Sequence, residues 1–291
     1  MEKDQIIILE NRGLISITGD DAKEYLQNII TNDINKVSEI NSIFAALLSP
    51  QGKYLFDFFV IKDSEGYLID CDGKSVKELV VNLSKYKIRS KVEIKDLSSS
   101  YVVGVMNFEN FKIIQKEMDK QEMTFKYRES PIFVDPRDND LGARIISPLE
   151  KLHLTIKKLN LKIVENNSYI KKAFLKGIPI EGLNSLQNQL FGLEINYEKL
   201  NAIDFKKGCY VGQENTARMK LKNKIRRQLM SIKTDKNVKI GDEIKYNDSV
   251  IGRILIDKPY PFALIKLFDP EFSVFKDKKL KINSNNVEII S

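Results

Sequence analysis

Apolar residues in the first half of the chain follow two alternating patterns, short continuous runs and stripes with helical spacing. Continuous apolar or β-branched runs at residues 6–9 and 14–18 predict two strands. The chain then turns at Gly19, and Asp20 is placed to act as the N-cap of a helix. The helix itself is predicted from apolar residues that share one stripe, namely Ala22, Tyr25, Leu26, Ile29 and Ile30.

The same two patterns continue to about residue 176. Paired strands are predicted at residues 42–48 and 54–61, on either side of the turn Pro50-Gln51-Gly52-Lys53. Further strands or extended segments are predicted at residues 67–71, 92–94, 101–106, 131–136 and 141–146. Helices are predicted at residues 76–83, 110–123, 149–159 and 169–176. Because these elements follow no regular strand–helix–strand repeat, the pattern favours a mixed α+β fold.

The pattern changes after about residue 222, where short strands recur without helical spacing. They are predicted at residues 225–233, 243–246, 250–256, 262–267, 280–282 and 287–290. Strands at this spacing, separated by turns rich in Gly, Asn, Asp and Pro, predict a small β-barrel. We therefore expect an α+β region of two interleaved subdomains over residues 1–222 and a C-terminal β-barrel domain over residues 223–291.

Composition and charge exclude several kinds of chemistry. The 291 residues are 42% hydrophobic, which is enough for a buried core, and 47 Lys and Arg against 40 Asp and Glu give a net charge of +7. This mild basic excess is compatible with RNA or with a lysine-rich solvated surface. Two cysteines and one histidine, without CxxC or HExxH spacing, argue against a zinc site or a disulfide framework. His153 lies between two leucines, which favours a structural histidine over a catalytic one.

Targeting signals and membrane spans are not apparent in the sequence. The first residues are polar and lack the apolar core of a secretory signal peptide. No apolar run approaches the ~18 residues that a membrane span needs. The few cysteines favour a reducing compartment. The sequence therefore predicts a soluble cytoplasmic protein with no membrane partner.

The most unusual local sequence is KKGCYVGQE at residues 206–214, just before the predicted barrel. Two glycines bracket a cysteine and an aromatic residue, and Gly208 permits a tight bend. Lys206 and Lys207 precede Cys209 closely in the chain, and positive charge near a thiol favours the thiolate. The residues alone leave two interpretations open, a reactive thiol and a turn with a buried cysteine.

The segment KGCYVGQE, followed by Thr216-Ala217-Arg218, resembles the signature of the YgfZ group of folate-binding proteins. These proteins are relatives of GcvT, the glycine-cleavage aminomethyltransferase, and of mitochondrial iron–sulfur assembly proteins. The resemblance covers nearly the whole chain, because weaker elements occur in the family's order. These elements are Gly19-Asp20-Asp21-Ala22 with Leu26-Gln27 and Thr31-Asn32-Asp33, Pro50-Gln51-Gly52-Lys53 with Asp57, Asp135-Pro136-Arg137, Leu141-Gly142-Ala143-Arg144, Gly177-Ile178-Pro179, Glu194 with Asn196, Val250-Ile251-Gly252-Arg253 and Phe262-Ala263-Leu264.

The resemblance implies a fold, a cofactor and partners. The implied fold is a GcvT/YgfZ-like multidomain α+β arrangement around a central folate opening, with a small C-terminal β-barrel. The implied cofactor is tetrahydrofolate or a folate derivative. The implied partners are iron–sulfur enzymes or assembly factors, with tRNA as an indirect partner through the iron–sulfur enzymes that thiolate it.

The resemblance also implies candidate site residues. Cys209 is the expected working thiol, and Asp57 is the expected acid or base near the reactive folate nitrogen. Glu194 matches the family's pterin-facing carboxylate, because a pterin presents donors that need a carboxylate acceptor. The other residues expected to bind the cofactor or its anionic tail are Asp70, Arg144, Lys207, Tyr210, Gln213 and Arg218. No residue is assigned to a metal.

Three functions follow from these observations. The first is a folate-binding accessory protein for iron–sulfur cluster assembly or repair and tRNA modification, which uses Cys209. The alternative is a tetrahydrofolate-dependent aminomethyltransferase or demethylase that uses Asp57. The third is an RNA-binding module, for which the only dense basic run is residues 220–227 and no RRM-like motif occurs.

Overall fold

In a computed structural model, the chain is described over residues 2–222, 225–283 and 285–290. The strands in these ranges are β1 (Gln5–Leu9), β2 (Arg12–Thr18), β3 (Ile43–Leu48), β4 (Tyr54–Asp63), β5 (Gly66–Asp72), β6 (Glu93–Asp96), β7 (Val102–Met106), β8 (Thr124–Tyr127), β9 (Ser130–Val134), β10 (Ala143–Ser147), β11 (Lys162–Ile163), β12 (Arg227–Thr234), β13 (Glu243–Tyr246), β14 (Ser249–Ile256), β15 (Phe262–Lys266), β16 (Leu280–Ile282) and β17 (Asn285–Ile289). The helices are α1 (Ala22–Ile29), α2 (Val76–Lys85), α3 (Phe108–Glu117), α4 (Leu149–Lys158), α5 (Asn167–Leu175), α6 (Gln213–Leu221) and α7 (Phe272–Phe275).

The strands form two open sheets and one closed barrel. The six-stranded sheet has the order β11-β1-β7-β10-β9-β8, and the five-stranded sheet has the order β3-β4-β5-β2-β6. Although β1 and β2 are consecutive in the chain, they enter different sheets, because β1 pairs with β7 and β2 pairs with β5. The connection between β1 and β2 thus joins the two sheets at one end.

The two open sheets face each other across a shared apolar layer. Val103 and Val105 of β7 enter this layer from the six-stranded sheet, and Phe59 of β4 and Leu68 of β5 enter it from the five-stranded sheet. Helices α3 and α4 cover the other face of the six-stranded sheet. Helices α1 and α2 cover the other face of the five-stranded sheet. The resulting helix–sheet–sheet–helix arrangement agrees with the mixed α+β fold that the sequence predicts.

The alternation of side chains along β4 directs one carboxylate between the sheets. Phe56 and Phe58 pack in the cluster under α1 and α2, whereas Phe59 packs in the layer between the sheets. Because successive side chains of a strand point to opposite faces, Asp57 shares the face of Phe59. An acidic residue within an aromatic run therefore reaches the interior of the molecule and not bulk solvent.

The C-terminal strands close into a barrel in the order β12-β15-β14-β13-β16-β17, which confirms the predicted β-barrel. Its interior is filled by apolar side chains such as Ile232, Ile244 and Ile254. Closure removes free strand edges. The barrel also packs against the α+β region, because Ile256 and Phe262 belong to the same apolar cluster as the layer between the sheets.

Two local predictions are wrong. The residue that caps α1 is Asp21 and not Asp20, and its carboxylate accepts a hydrogen bond from the Lys91 backbone N–H at 2.7 Å. His153 is exposed, because the buried positions of α4 are Leu152, Thr155 and Ile156. A structural role for this histidine is therefore not supported.

The sequence patterns also missed four elements, namely β8, β11, α6 and α7. Strand β8 pairs with β9, and helix α6 follows the cysteine segment directly. The domain boundary is predicted between residues 222 and 223. Residues 223 and 224 lie outside the described residues, so the boundary stays a prediction. Within the described ranges, no helix has the length and apolar character needed to cross a membrane.

Candidate functional site

Charged side chains from both sheets meet between the sheets. Arg12 of β2 and Asp70 of β5 come from the five-stranded sheet, and Arg144 of β10 comes from the six-stranded sheet. Arg12 Nε lies 2.6 Å from Asp70 Oδ1, and Arg144 Nη1 lies 2.8 Å from Asp70 Oδ2. The Asp70 side chain is fully buried, and that of Arg144 is 2% exposed. One carboxylate therefore bridges two arginines and ties the two sheets together.

A second ion pair extends this network. Arg137 Nη2 lies 2.8 Å from Asp135 Oδ2, immediately after β9. Arg144 Nη2 donates a hydrogen bond of 2.8 Å to the hydroxyl of Tyr169. The arginines also lie over an aromatic ring, since the guanidinium carbon of Arg144 is 4.2 Å from the centroid of Phe59. Because buried arginines are held by carboxylates, hydroxyls and ring faces, their orientation is fixed before any ligand arrives.

Asp57 lies beside this network without an ion pair of its own among the described residues. Its Oδ2 accepts a hydrogen bond of 3.1 Å from the buried hydroxyl of Tyr197. Burial raises the pKa of Asp57, and the positive charges of Arg137 and Arg12 oppose that shift. A carboxyl group with a raised pKa can exchange a proton more readily near neutral pH than an ordinary aspartate.

A cavity opens next to Asp57 between the sheets. It holds about 80 Å³ of space that water can occupy, which is room for several water molecules. Its walls include the carboxylates of Asp57 and Asp72 and the rings of Phe44 and Phe59. Arg144 also lines it, and its Nε lies 3.6 Å from Asp135 Oδ2 without a hydrogen bond to any described residue. The cavity thus offers carboxylate acceptors, a buried guanidinium and apolar walls to a ligand.

Cys209 lies on an exposed loop and does not line this cavity. The loop follows Asp204 and runs directly into α6. Its backbone is held at both ends, because Asp204 N–H donates to Thr31 O at 3.1 Å and Val211 N–H donates to Asn28 O at 3.2 Å. The structure therefore agrees with an accessible thiol and not with a buried cysteine. Cys71 is the buried one, and desolvation raises its pKa to about 12.

The lysine beside Cys209 in the chain has a different environment from the one the sequence suggests. Lys207 is buried, and its Nζ donates to the carbonyl oxygens of Gln27, Ile30 and Asn32 at 2.7, 2.6 and 3.0 Å. Burial lowers its pKa to about 8, so it remains mostly protonated at pH 7. Its charge is directed at the end of α1, and the expectation that it serves the thiol is not supported by these contacts.

The glycine after the cysteine explains how the loop joins α6. Gly212 has φ +81°, and a Cβ there would lie 2.5 Å from the carbonyl oxygen of Ser49. The opposing Gly52, in the turn between β3 and β4, also has a positive φ of +80°. Only residues without a side chain permit this close approach. The cysteine loop is thus fixed against the turn Pro50-Gln51-Gly52-Lys53.

The structure separates the remaining predicted site residues. Glu194 is buried, accepts a hydrogen bond from the Phe191 N–H at 3.0 Å and pairs with Arg227 at 2.8 Å, so it is not a surface residue. Tyr210 is buried, and desolvation raises its pKa to about 12. Gln213 begins α6 and is half-buried, and Arg218 is exposed on the same helix.

The predicted residues therefore fall into three places. Asp57 and Arg144 line the cavity, with Asp70 buried behind it. Glu194 and Arg218 line a separate groove beside α6. The third place is the cysteine loop and the start of α6, which holds Lys207, Cys209, Tyr210 and Gln213.

Sequence reasoning missed several residues of the cavity. Arg12 and Tyr197 carried no motif, although Arg12 lines the cavity and Tyr197 contacts Asp57, which does. Arg137 was visible only as part of Asp135-Pro136-Arg137. Asp72, at the end of the same strand as Asp70, was expected from the sequence to line the opening, and it does line the cavity. Within the described ranges, no group of three or more His, Cys, Asp and Glu residues is placed to hold a metal ion.

Comparison with solved structures defines the class of fold. The chain superimposes on the crystal structure of the glycine cleavage system aminomethyltransferase T from Bartonella henselae with a TM-score of 0.76, 13% identity, and coverage of 99% of this chain and 85% of the other. The protein therefore has an aminomethyltransferase-like fold, mixed α+β with a closed six-stranded C-terminal barrel. No family model matches the chain.

Comparison with curated sequences finds relatives named mitochondrial homologues of the iron–sulfur cluster assembly factor IBA57. The chain is 27% identical to that of Dictyostelium discoideum over 82% of its length, 30% to that of Neurospora crassa over 90%, and 30% to that of Pyricularia oryzae over 76%. It spans 65%, 59% and 55% of these relatives' own lengths. The sequence comparison thus relates the chain to IBA57 homologues, and the structural comparison shows an aminomethyltransferase-like fold.

These names contradict the expectation of a cytoplasmic protein, because the relatives are mitochondrial. The physical basis of that expectation was weak. Two cysteines without a disulfide framework indicate a reducing environment, but they do not distinguish one reducing compartment from another. The relatives therefore point to mitochondria.

Proposed function

We propose that this chain is an iron–sulfur cluster assembly factor of the YgfZ type, which works with a bound folate and uses Cys209 as its working thiol. The observation that carries the proposal is the 30% identity to the Neurospora crassa assembly factor homologue over 90% of this chain. The aminomethyltransferase-like fold supports the folate component. In this role the protein maintains iron–sulfur enzymes, and through them the enzymes that thiolate tRNA.

The exposed thiol suits a transient ligand of an iron–sulfur cluster that passes through as cargo. Cys209 supplies one ligand, whereas a cluster commonly needs about four, so a partner protein supplies the others. When Cys209 replaces a partner thiolate on iron, one Fe–S bond forms and one breaks. The proton released by Cys209 protonates the displaced thiolate, and no electron is transferred. The anchored loop and the absence of a cover over Cys209 in the described ranges permit this exchange.

The cavity between the sheets is lined by hydrogen-bond acceptors and apolar walls of the kind that bind a folate. The carboxylates of Asp57 and Asp72 accept hydrogen bonds of the kind a pterin N–H edge donates, and Phe44 and Phe59 provide apolar walls. Lys74 is exposed at the edge of the cavity, where it would meet an anionic glutamate tail. When bound, a tetrahydrofolate supplies a carrier for one-carbon units. The chain's own residues bind and orient it.

The assembly role is tested in cells that lack their own homologue of this protein. We expect expression of the chain to restore the activity of [4Fe–4S] enzymes and the thiolated nucleosides of tRNA. An enzyme without a cluster, assayed in the same extracts, is the control for general fitness. Normal levels of the expressed protein with no recovery of any iron–sulfur enzyme would contradict the proposal.

The folate component is tested by calorimetric titration of the purified protein with tetrahydrofolate. Asp57→Asn is expected to weaken binding about 10- to 100-fold, since it removes a charged acceptor that contributes roughly 1.5–3 kcal/mol. Lys206→Ala, on the exposed cysteine loop, is the matched control and is expected to bind like the wild type. Equal affinity in all three proteins would place the folate elsewhere.

A one-carbon transferase is the second candidate function, and Asp57 is the observation that favours it. Its carboxyl group has a raised pKa and faces a cavity, as an acid or base for one-carbon transfer requires. The test is formation of methylenetetrahydrofolate from tetrahydrofolate and a purified aminomethyl donor. Turnover that Asp57→Asn abolishes and Cys209→Ala preserves would favour this function over the first.

A further inference from the structure

Helix α6 (Gln213–Leu221) is attached to the molecule by one side only. Thr216 is its only buried residue, and Met219, one turn further on, packs at the edge of the apolar layer. Asn215 Nδ2 donates to the carbonyl of Gln51 at 2.8 Å on the same side. Arg218, three residues after Asn215, donates from Nη2 to Asn215 Oδ1 at 2.6 Å and lines the groove beside α6 together with Arg226. Leu221, five residues after Thr216, lies on the side of the helix that faces away from Thr216.

The outer side of α6 is open and partly apolar. Leu221 is 85% exposed, although it is a large hydrophobic residue. Phe205, from the cysteine loop, is 38% exposed next to the helix, and Lys220 Nζ lies 5.8 Å from its ring centroid. Lys220 thus has Leu221 beside it in the chain and Phe205 near it in space, and exposed large hydrophobic residues are a common feature of contact sites.

The same surface carries uncompensated positive charge. Lys206, Arg218, Lys222 and Arg226 make no ion pair with any residue that the structure describes. Glu214 is the one acidic residue of α6. Other charges nearby are already paired, as in Lys220 with Glu198, Arg227 with Glu194 and Lys36 with Asp204.

The loop that carries the thiol leads directly into α6. Phe205 precedes Cys209 by four residues in the same loop, and Gln213 N–H, at the start of α6, donates to the carbonyl of Tyr210 at 3.2 Å. We call the set of Phe205, Lys206, Arg218, Leu221, Lys222 and Arg226 the α6 face. Because Phe205 and Lys206 belong to the cysteine loop, a protein that covers the α6 face contacts that loop.

We infer that the α6 face docks an acidic surface of the iron–sulfur protein that exchanges its cluster at Cys209. This inference rests on the proposed function and adds the chemistry of the partner. An exposed apolar residue on a helix that also carries unpaired basic residues is typical of protein interfaces, where the core is apolar and Arg is enriched. The positive charge selects an acidic partner and speeds its association.

The observations favour a protein over an RNA. Sequence-tolerant RNA binding relies on aromatic rings that are free to stack with bases. The aromatic ring on the α6 face is Phe205, and Lys220 lies near it. The most exposed apolar residue is Leu221, which offers no ring for stacking.

The test is site-specific photo-cross-linking in cells that depend on this chain. A photoreactive p-benzoylphenylalanine replaces Leu221, and in a control protein it replaces Ile240, which is 61% exposed in the barrel. We expect the first position, and not the second, to capture an iron–sulfur protein or assembly factor through a peptide rich in Asp and Glu. The double substitution Arg218→Glu with Arg226→Glu is expected to lower the yield by at least ~10-fold.

Other outcomes overturn the inference. Capture of RNA or of a second copy of the chain, absence of any cross-link, or equal capture with the charge-reversed protein would each do so. The same cells separate this inference from the proposed function. If the charge-reversed protein still restores iron–sulfur enzymes fully, the docking surface is wrong while the function stands. If the unsubstituted chain restores none, the function itself fails.

Discussion

The cavity between the sheets and the cysteine loop differ in how their functional groups are held and exposed. At the cavity, charged side chains from strands of both sheets form ion pairs with one another, as Arg144 and Arg12 do with Asp70. On the loop, the anchoring residue Lys207 is buried while Cys209 remains exposed. The difference agrees with a cavity that is preorganised for a small ligand and with a loop that presents a thiol to a partner protein.

Removal of an arginine that joins the two sheets is expected to have the largest effect on stability. Arg144→Met leaves a buried carboxylate short of one partner, and we expect a loss of about 3–5 kcal/mol in the free energy of unfolding. Arg253→Met is the matched control, because Arg253 pairs with Glu243 on the exposed surface of the barrel. That substitution is expected to cost less than about 1 kcal/mol. Urea unfolding measures both, and equal losses would contradict the structural role of the network.

Removal of the loop's buried anchor is expected to have the next largest effect. Lys207→Met deprives three carbonyl oxygens of their donor and costs about 3 kcal/mol. Lys206→Met, next to it but exposed, is expected to change stability by less than about 0.5 kcal/mol. Thermal and urea unfolding of the two variants provide the comparison. A smaller loss for Lys207 than for Lys206 would show that the ammonium does not hold the loop.

The two glycines that bracket Cys209 are expected to differ in how far the loop tolerates a side chain at each position. Gly212→Ala puts a Cβ against Ser49 at a positive φ and is expected to cost about 2 kcal/mol. A Cβ on Gly208 meets nothing within 4 Å, so Gly208→Ala is expected to be nearly neutral. Hydrogen exchange of the amides in α6 should rise only in the first variant. Equal exchange in both would remove the assigned role of Gly212.

The smallest expected effect concerns the pH dependence of the cavity. Because the pKa of Asp57 is raised in the folded protein, its contribution to stability is fully present below the ordinary pKa of 3.8 and is lost as pH rises through the raised value. Asp57→Asn removes that loss, so the variant is expected to gain stability relative to the wild type at pH 7.

The gain from Asp57→Asn should shrink as the pH falls towards 4. Denaturant midpoints of both proteins across this range measure it. Asp248→Asn, at an exposed turn between β13 and β14, controls for the loss of one carboxylate. A gain that does not depend on pH would show that burial does not shift this carboxyl group.

Periodicity predicted the elements whose residues face a core. The strands on both sides of Pro50-Gln51-Gly52-Lys53 and those of the barrel have regular apolar patterns, and they formed as expected. Helix α6 was missed because it buries only Thr216 and therefore has no apolar stripe. Its existence depends on contacts such as that of Asn215 with Gln51, which are remote in sequence.

The candidate site was less predictable than the fold. Alternation along β4 allowed either face for Asp57, and only the packing of the second sheet decided which one is interior. Arg144 and Asp70 are 74 residues apart in the chain, so no local pattern could pair them. Lys207 was expected to serve Cys209 because it is near in sequence, whereas its long side chain reaches α1.

The most direct test of this account compares Cys209→Ala with Lys199→Ala in cells that lack their own homologue. We expect the protein with Cys209→Ala to be present at normal levels and to bind tetrahydrofolate, yet to leave [4Fe–4S] enzymes inactive. Lys199→Ala, at an exposed position outside the α6 face, should restore most of their activity. Full restoration of these enzymes by Cys209→Ala would contradict the account.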